Sequence, residues 1–371
     1  MSERVIVALS GGVDSAVAAL LLQRAGHPVE ALHMSNWDDD EDGYCTAAAD
    51  YQAARAVADE LGLVLHRVSF AAEYRARVFR QFLDEYAAGG TPNPDVVCNR
   101  EVKFGVCLEY ARRLGAARLA TGHYARLAAG PDGARLLRAR DRAKDQSYFL
   151  QQVPRAALDA ALFPLGELTK TEVRAIARAA GLPVHDRPDS TGICFIGERP
   201  FREFLAKYLA PLPGPIETPD GERLGSHDGL MFHTIGQRHG LGIGGSRRHG
   251  GEPWYVAAKD AGRNALIAVQ GHDHPLLLTT AFRTAPVRWL APPPMEFGCS
   301  VQVRHRQAAV TARVRAAADG AQVELDAPLR AVASGQYAAF YAGDECLGGA
   351  PVVEARPAAG RYNQPRPAED P

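Results

Sequence analysis

The segment Ser10-Gly-Gly-Val-Asp-Ser15 stands between an apolar run, Arg4 to Leu9, and a helical pattern, Ser15 to Arg24, that stops at Gly26. A strand that feeds a helix through paired glycines is the start of a βα unit, and it limits what the chain can become. Glycines there let the backbone approach an anion, and the unpaired N–H groups of the helix start attract negative charge. Ser10 and Ser15 add hydroxyl donors. The Gly-Lys-Ser/Thr ending of a Walker loop is missing, so this is a different phosphate loop. It resembles the pyrophosphate loop of enzymes that split ATP into AMP and pyrophosphate. Asp14 is unsuited to touching phosphate and suits a Mg²⁺ ion that bridges phosphates.

The same alternation continues. Val29 to Met34 reads as a strand, Thr46 to Leu61 as a helix, Leu63 to Phe70 as a strand and Ala72 to Tyr86 as a helix. Val102 to Leu114 is a further helix closed by Gly115, and Arg118 to Thr121 a further strand. This predicts a doubly wound α/β domain with a parallel sheet. Pro131-Asp-Gly133 marks a hairpin, and Thr169-Lys-Thr-Glu172 is a capping box opening a helix that ends near Gly181. Pro211-Leu-Pro-Gly-Pro215 reads as a rigid linker. Glycine-rich sequence with short strands follows, and from about Thr279 alternating segments suggest a small β-barrel. The expected division is residues 1–208, a central unit 209–276, a barrel 277–355, and a disordered tail 356–371.

The 371 residues are enough for such a multidomain chain, and a net charge of −1 excludes a generally basic nucleic-acid binder without excluding a local RNA-binding patch. The N-terminal residues lack the pattern of a signal peptide, and no apolar run is long enough to span a bilayer, so a cytoplasmic location is expected. None of the six cysteines forms a Cys-x-x-Cys pair. Cys98 follows Thr91-Pro-Asn-Pro-Asp-Val-Val, where two prolines imply an extended loop running into a helix start, a setting that activates a thiol, with Arg100 and Lys103 nearby. Cys194 lies in the glycine-flanked Asp189-Ser-Thr-Gly-Ile-Cys-Phe-Ile-Gly197. Cys45, Cys107, Cys299 and Cys346 read as structural. His272-Asp-His274 reads as a turn in preference to a metal site. His33 could touch a nucleotide or simply pack. Arg304-His-Arg306 with Arg313 and Arg315 could form a basic barrel face.

Six blocks in order carry a resemblance: the Ser10–Ser15 loop; Thr91-Pro-Asn-Pro-Asp95 with Cys98-Asn99; Ala120-Thr-Gly-His-Tyr124; Lys144-Asp-Gln-Ser-Tyr-Phe149; Asp189 to Glu198; and Gly236-Gln-Arg238 with Gly240-Leu-Gly-Ile-Gly244. The chain resembles the tRNA-specific 2-thiouridylase family over about residues 4 to 355. The resemblance implies ATP binding by Ala8, Leu9, Ser10, Gly11, Gly12, Val13, Asp14, Ser15, Met34 and Gly122. It implies contact with the target base by Asn93, Pro94 and Asp95, with Asp95 as general acid/base. It implies that Cys98 is the nucleophile and Cys194 the persulfide carrier, the two joining in a transient disulfide. It places His123, Lys144, Asp145, Gln146, Arg304, His305 and Gln336 at the tRNA. The implied substrates are the wobble uridines of the Lys, Glu and Gln tRNAs, with ATP and Mg²⁺ as cosubstrates and sulfur from a cysteine desulfurase or relay protein. On sequence, an ATP pyrophosphatase acting on a small molecule, such as an argininosuccinate-type ligase, competes with this reading. So does a non-catalytic tRNA- or nucleotide-binding protein.

Overall fold

A computed structural model describes residues 3–37, 47–189, 201–243 and 251–359. Its first unit is a five-stranded parallel sheet in the order β3-β2-β1-β4-β7. The strands are β1 (Val5–Ala8), β2 (Val29–Ser35), β3 (Leu65–Ser69), β4 (Arg118–Ala120) and β7 (Ala161–Leu162). Val5, Ile6 and Val7 are fully buried, as expected of a strand covered on both faces by helices. The chain leaves β1 for the helix Val13–Arg24, and β4 lies on the other side of β1. The strand order therefore reverses beside β1, and the loops after β1 and β4 face each other across the crevice where such sheets bind ligands.

Three expectations change in this unit. The third helix is not continuous: Ala71–Tyr74 leads into a wide π-type turn, Arg75–Phe79, before Arg80–Ala87. The fourth starts at Pro94, not Val102. Asn93 caps it by accepting from the Val96 N–H at 3.3 Å, and Pro94 occupies the first turn, where its missing N–H costs nothing. The two prolines thus open a helix instead of holding a loop extended, and Cys98 lies within the helix, not ahead of it. The helix widens over Asn99–Cys107 and is kinked at Gly105.

The expected hairpin is present as β5 (Ala125–Gly130) and β6 (Gly133–Arg138). It leaves the parallel sheet and joins a second one. There β12 (Leu278–Thr284), β14 (Glu296–Gln302), β15 (Val310–Ala317), β16 (Gly320–Arg330), β17 (Tyr337–Ala342) and β18 (Glu345–Pro357) run in the order β12-β16-β15-β14-β17-β18, and β18 returns to β12 to close a six-stranded barrel. β6 pairs with β18 through Leu136 and Leu137 opposite Cys346 and Glu345, so the hairpin fastens the barrel to the first unit. A short strand β13 (Arg288–Trp289) also lies on β18. The barrel runs further than residue 355: Arg356 and Pro357 pair with β12, and Ala358 N–H donates to Leu278. Residues beyond 359 lie outside the described residues.

Between the two lies a four-stranded sheet, β10 (Trp254–Asp260), β11 (Ala265–Gln270), β8 (Gly214–Glu217) and β9 (Arg223–His227), in that order. Gly214 and Pro215, expected in the linker, belong to β8. Pairing with β11 begins only at Ile216, which leaves the N–H-less face of Pro215 unopposed on that side. The helix before it, Phe201–Ala206, sends Phe204 and Leu205 into the core of the first unit.

The barrel meets the first unit tightly at Gly349 on β18. Its carbonyl accepts from Gln152, and a Cβ at this position would run into the Gln151 amide and the Ala338 carbonyl. Gly349→Ala is expected to lower stability by about 1–3 kcal/mol through overpacking. The check is the urea midpoint of unfolding; an unchanged midpoint would show that the contact yields.

Candidate functional site

The loop after β1 is closed by its own hydroxyls. Ser10 N–H donates to Ser15 Oγ at 3.2 Å, Ser15 Oγ donates to the Gly12 carbonyl at 3.1 Å, and Gly12 N–H meets Ser10 Oγ at 3.3 Å. Gly11 sits at φ +84, in the region that favours glycine. No side chain caps the helix at Gly12, so its first N–H groups face the crevice. Opposite, Gly122 follows β4, and a Cβ there would lie 2.7 Å from Ser15 N and 2.8 Å from the Asp14 carbonyl carbon. Only glycine lets the two loops come this close. The unpaired N–H groups of the cradle suit an anion such as a nucleotide's phosphates.

Asp14 does not offer a divalent ion an open oxygen in this arrangement. Lys170 Nζ lies 2.7 and 2.8 Å from its two oxygens, and the Tyr124 hydroxyl donates to Oδ1 at 2.8 Å. The expected Mg²⁺ ligand is thus engaged by the protein's own cation, and Lys170 is the charge that phosphates would meet here. Lys170 also contacts Asp189 Oδ1 at 2.8 Å, while Lys144 Nζ and Arg174 reach the same carboxylate at 2.7 Å each. Burial would raise the Asp189 carboxyl, but the hydrogen bonds and charges of Lys144 and Lys170 outweigh it and hold the pKa well below the usual range. Arg187 adds a bond to the Gly11 carbonyl at 2.8 Å and an ion pair to Asp50. Of these, Lys170, Tyr124 and Arg187 were not singled out by sequence reasoning. The capping box that places Lys170 at the head of its helix was visible, but it signalled only a helix start.

A second group of residues shares a core with Ala8 and Met34. Asp95 lies in the first turn of Pro94–Cys98, and Asn99 Nδ2 donates to its carbonyl at 3.0 Å. Burial raises the Asp95 carboxyl and the charge of Lys103 partly offsets this, which makes it easier to protonate than an ordinary aspartate. Cys98 is 1% exposed, and Asn36, just past β2, points Nδ2 at its Sγ from 4.0 Å. Met34, near the end of β2, packs partly buried against the same core. His33 packs here: its Nδ1 bonds the Leu9 carbonyl at 2.9 Å and its ring leans on Tyr51. Cys194 and Cys45 lie outside the described residues, so their placement relative to Cys98 is not described. Cys107 and Cys346 are buried, and burial pushes both thiols up to about 12, as it does the partly buried Cys299.

The residues expected at RNA divide into two kinds. His123 is buried between Phe104 and Phe163 and bonds Thr121 through Nδ1 and Oγ1 at 2.7 Å; burial and the charge of Lys103 keep it neutral. Asp145 is buried and accepts from Arg138, Ala139 N–H and Ser147. Gln336 is buried and accepts from Ala333 N–H. These three brace their loops here and have little surface to offer RNA. Arg304 does not alternate with Arg306 along a strand, because β14 ends at Gln302 and Arg306 adopts φ +65 in a turn. The Arg304 guanidinium instead donates to the carbonyls of Ile235 and Ala331, joining the middle sheet to the barrel. Lys144, Gln146 and His305 remain partly exposed. His305 bonds the Asp145 carbonyl at 3.0 Å and packs on Phe149, so the barrel turn and the Lys144–Phe149 block form one surface. Tyr148 ties that surface to the Pro94–Cys98 helix: it bonds Asn93 and donates to the Val303 and Tyr337 carbonyls. Among the described residues, no His/Cys/Asp/Glu cluster could hold a metal, and His274 caps a short turn by accepting from Leu276 N–H.

Three family models cover the chain: a tRNA methyl transferase HUP domain over residues 3–198, a tRNA methyl transferase PRC-barrel domain over 202–270, and an aminomethyltransferase beta-barrel domain over 279–352. The tRNA-specific 2-thiouridylase MnmA of Chromohalobacter salexigens is 55% identical over 350 residues, 93% of this chain and 91% of that one. Its counterpart in Marinobacter nauticus is 55% identical over 357 residues, 95% of this chain and 91% of that one. That of Halorhodospira halophila is 55% identical over 362 residues, 96% and 94% respectively.

The Asp189 cluster makes a pH prediction. The carboxyl's folded pKa lies below its ordinary value of 3.8, so its stabilisation is complete above that value and is lost as pH falls through the folded pKa. Asp189→Asn is expected to melt lower at neutral pH and to lose less stability than the parent on acidification from about pH 5 to pH 3. Parallel acid limbs in the two thermal unfolding series would contradict the assignment.

Proposed function

The chain belongs to the tRNA-specific 2-thiouridylase family, and from that premise we propose how its residues activate and thiolate the base. The reaction is ATP-dependent 2-thiolation of tRNA uridine. The observation that carries the residue assignments is the approach of Asn36, just past β2, to Cys98 Sγ at 4.0 Å, with Ala8 and Met34 of the adjoining strands β1 and β2 packed against the core that contains Val96, Val97 and Cys98.

In this reading the cradle of Ala8 to Ser15, with Gly122 and Met34, holds ATP, and Lys170 turns from Asp14 toward the phosphates. The target uracil is extruded against Asn93, Pro94 and Asp95, as for other enzymes that modify a base. The uracil O2 attacks the α-phosphate and pyrophosphate leaves, which converts a poor leaving group into AMP. Asp95, protonated more readily than most carboxyls, handles the proton. The terminal sulfur of a Cys194 persulfide then attacks C2, AMP departs with the original oxygen, and Cys98 takes up the Cys194 sulfur as a disulfide that a reductant must reopen. In an equivalent order, Cys98 first frees hydrosulfide, which attacks C2. We assign the surface of Lys144, Gln146 and His305 to the tRNA, with His123, Asp145, Arg304 and Gln336 as its supports. The substrates we propose are the wobble uridines of the Lys, Glu and Gln tRNAs. The sulfur donor is a cysteine desulfurase or relay protein, and Mg²⁺ accompanies ATP as its counter-ion. We retain a cytoplasmic location and the limits 1–208 and 209–276, with the barrel that starts at 277 extended to Pro357. No helix among the described residues is long and apolar enough to cross a membrane.

An ATP pyrophosphatase of small molecules would not need a tRNA-facing surface, and a binding protein would not need the thiols. Both are tested together. Unmodified Lys-tRNA transcript incubated with ATP, Mg²⁺, a desulfurase and cysteine is expected to gain a band retarded on a mercury-containing gel. Cys98→Ser, Cys194→Ser and Asp95→Asn are each expected to lower the rate by about 10²-fold or more. Full activity in both cysteine variants would refute sulfur transfer through these thiols.

A further inference from the structure

The turn Gly89-Gly90-Thr91 is where all three parts of the chain meet. It follows the helix Arg80–Ala87 and precedes Asn93, the cap of the helix that carries Asp95 and Cys98. From the first unit, Gly89 N–H donates to the Tyr86 carbonyl and Gly90 N–H to the Glu85 carbonyl. From the barrel, the Ser334 carbonyl accepts from Thr91 N–H at 2.8 Å, and Gly335 packs so closely that a Cβ there would lie 2.9 Å from Thr91 N. From the middle sheet, Lys259 on β10 donates its ammonium to the Gly89 carbonyl at 3.0 Å.

Lys259 is an expensive residue for that task. It is partly buried, and burial brings its pKa down to about 8. A buried ammonium that bonds a neutral carbonyl is usually disfavoured. Here it holds the one carbonyl from which the chain turns toward the base-facing helix. Gly89 takes φ +80, so the direction of that carbonyl is set by a residue with little preference of its own.

We propose that Lys259 is a positioning residue for the reaction: by fixing the Gly89 carbonyl it sets the entry of Asn93–Cys98 into the site. The middle domain thereby contributes to catalysis without touching ATP or the base. This rests on the assignment of Asp95 and Cys98 above. It differs from general packing because Lys259 reaches the turn through one side-chain donor on one carbonyl, while the backbone N–H groups hold its other contacts.

The test uses the full chain. Lys259→Met removes the donor and keeps the stem; Lys259→Arg restores a cationic donor. The first readout is the rate of Cys98 alkylation by iodoacetamide, followed by peptide mass spectrometry, with Cys107 and Cys346 as buried references. It is independent of thiolation and stays readable if that reading fails. The second is the split between kcat and KM for thiolation. Lys259→Met is expected to raise Cys98 alkylation about 10-fold, with both references still protected, and to lower kcat about 10-fold while KM for ATP changes less than about 2-fold. Lys259→Arg is expected to return both toward the parent. Parental alkylation and kcat in Lys259→Met would overturn the proposal. So would equal exposure of all three cysteines, which would mean that the lysine merely supports the fold. Lys259→Gln, with a shorter neutral donor, carries the same comparison where the methionine variant does not fold, and is expected to show the same change in smaller measure.

Discussion

The rest of the site depends on one ammonium group. Lys170 sits between Asp14 of the phosphate loop and Asp189, and it arrives from 156 positions along the chain. A phosphate loop without its own lysine needs a cation from elsewhere, and two half-buried carboxylates facing one crevice need one to be tolerated. The same group serves both needs. It docks the helix Lys170–Ala179 against the helix Val13–Arg24 and holds Asp189 beside them. Phosphates entering the cradle would compete with Asp14 for Lys170, which links nucleotide binding electrostatically to Asp189.

The second constraint is the placement of Cys98. The residue lies inside a helix that opens with Asn93 and Pro94, and it is almost fully covered. A thiol so placed is shielded from solvent and from random oxidation. Asp95, three positions earlier, shares the covered environment, and there burial works in favour of a proton-transfer role. The local helix start thus sets both chemical groups at once. The turn before it is the place where the barrel and the middle sheet can influence them.

Much of this was legible in sequence, for stated reasons. The alternating strand and helix signals, the glycine loop and the hairpin at Gly133 rest on local rules of backbone preference, and the strands appear within a residue or two of where those rules put them. Two local readings failed because a competing local rule won. Pro94 was read as a breaker, but a proline in a first turn starts a helix, and Asn93 supplies the cap. Pro215 was read as linker, but an unpaired N–H position in a strand accepts proline. The remaining gaps were non-local. Nothing in the spacing of Lys170, Arg187 or Lys259 ties them to loops far away in the chain, because ion pairs across a fold have no period. The expected RNA contacts at His123 and Gln336 came from resemblance, and only the packing shows them buried among their neighbours.

The central claim is that AMP is transferred to the uracil oxygen before sulfur replaces it. The most direct measurement uses tRNA whose wobble uridine carries an isotopically heavy O2, thiolated in ordinary water, with the AMP product weighed by mass spectrometry. The account predicts that each thiouridine formed yields one AMP bearing the heavy oxygen in its phosphate. Light AMP, with the heavy oxygen released to water, would mean that ATP is spent on some other step and that the base is never adenylated.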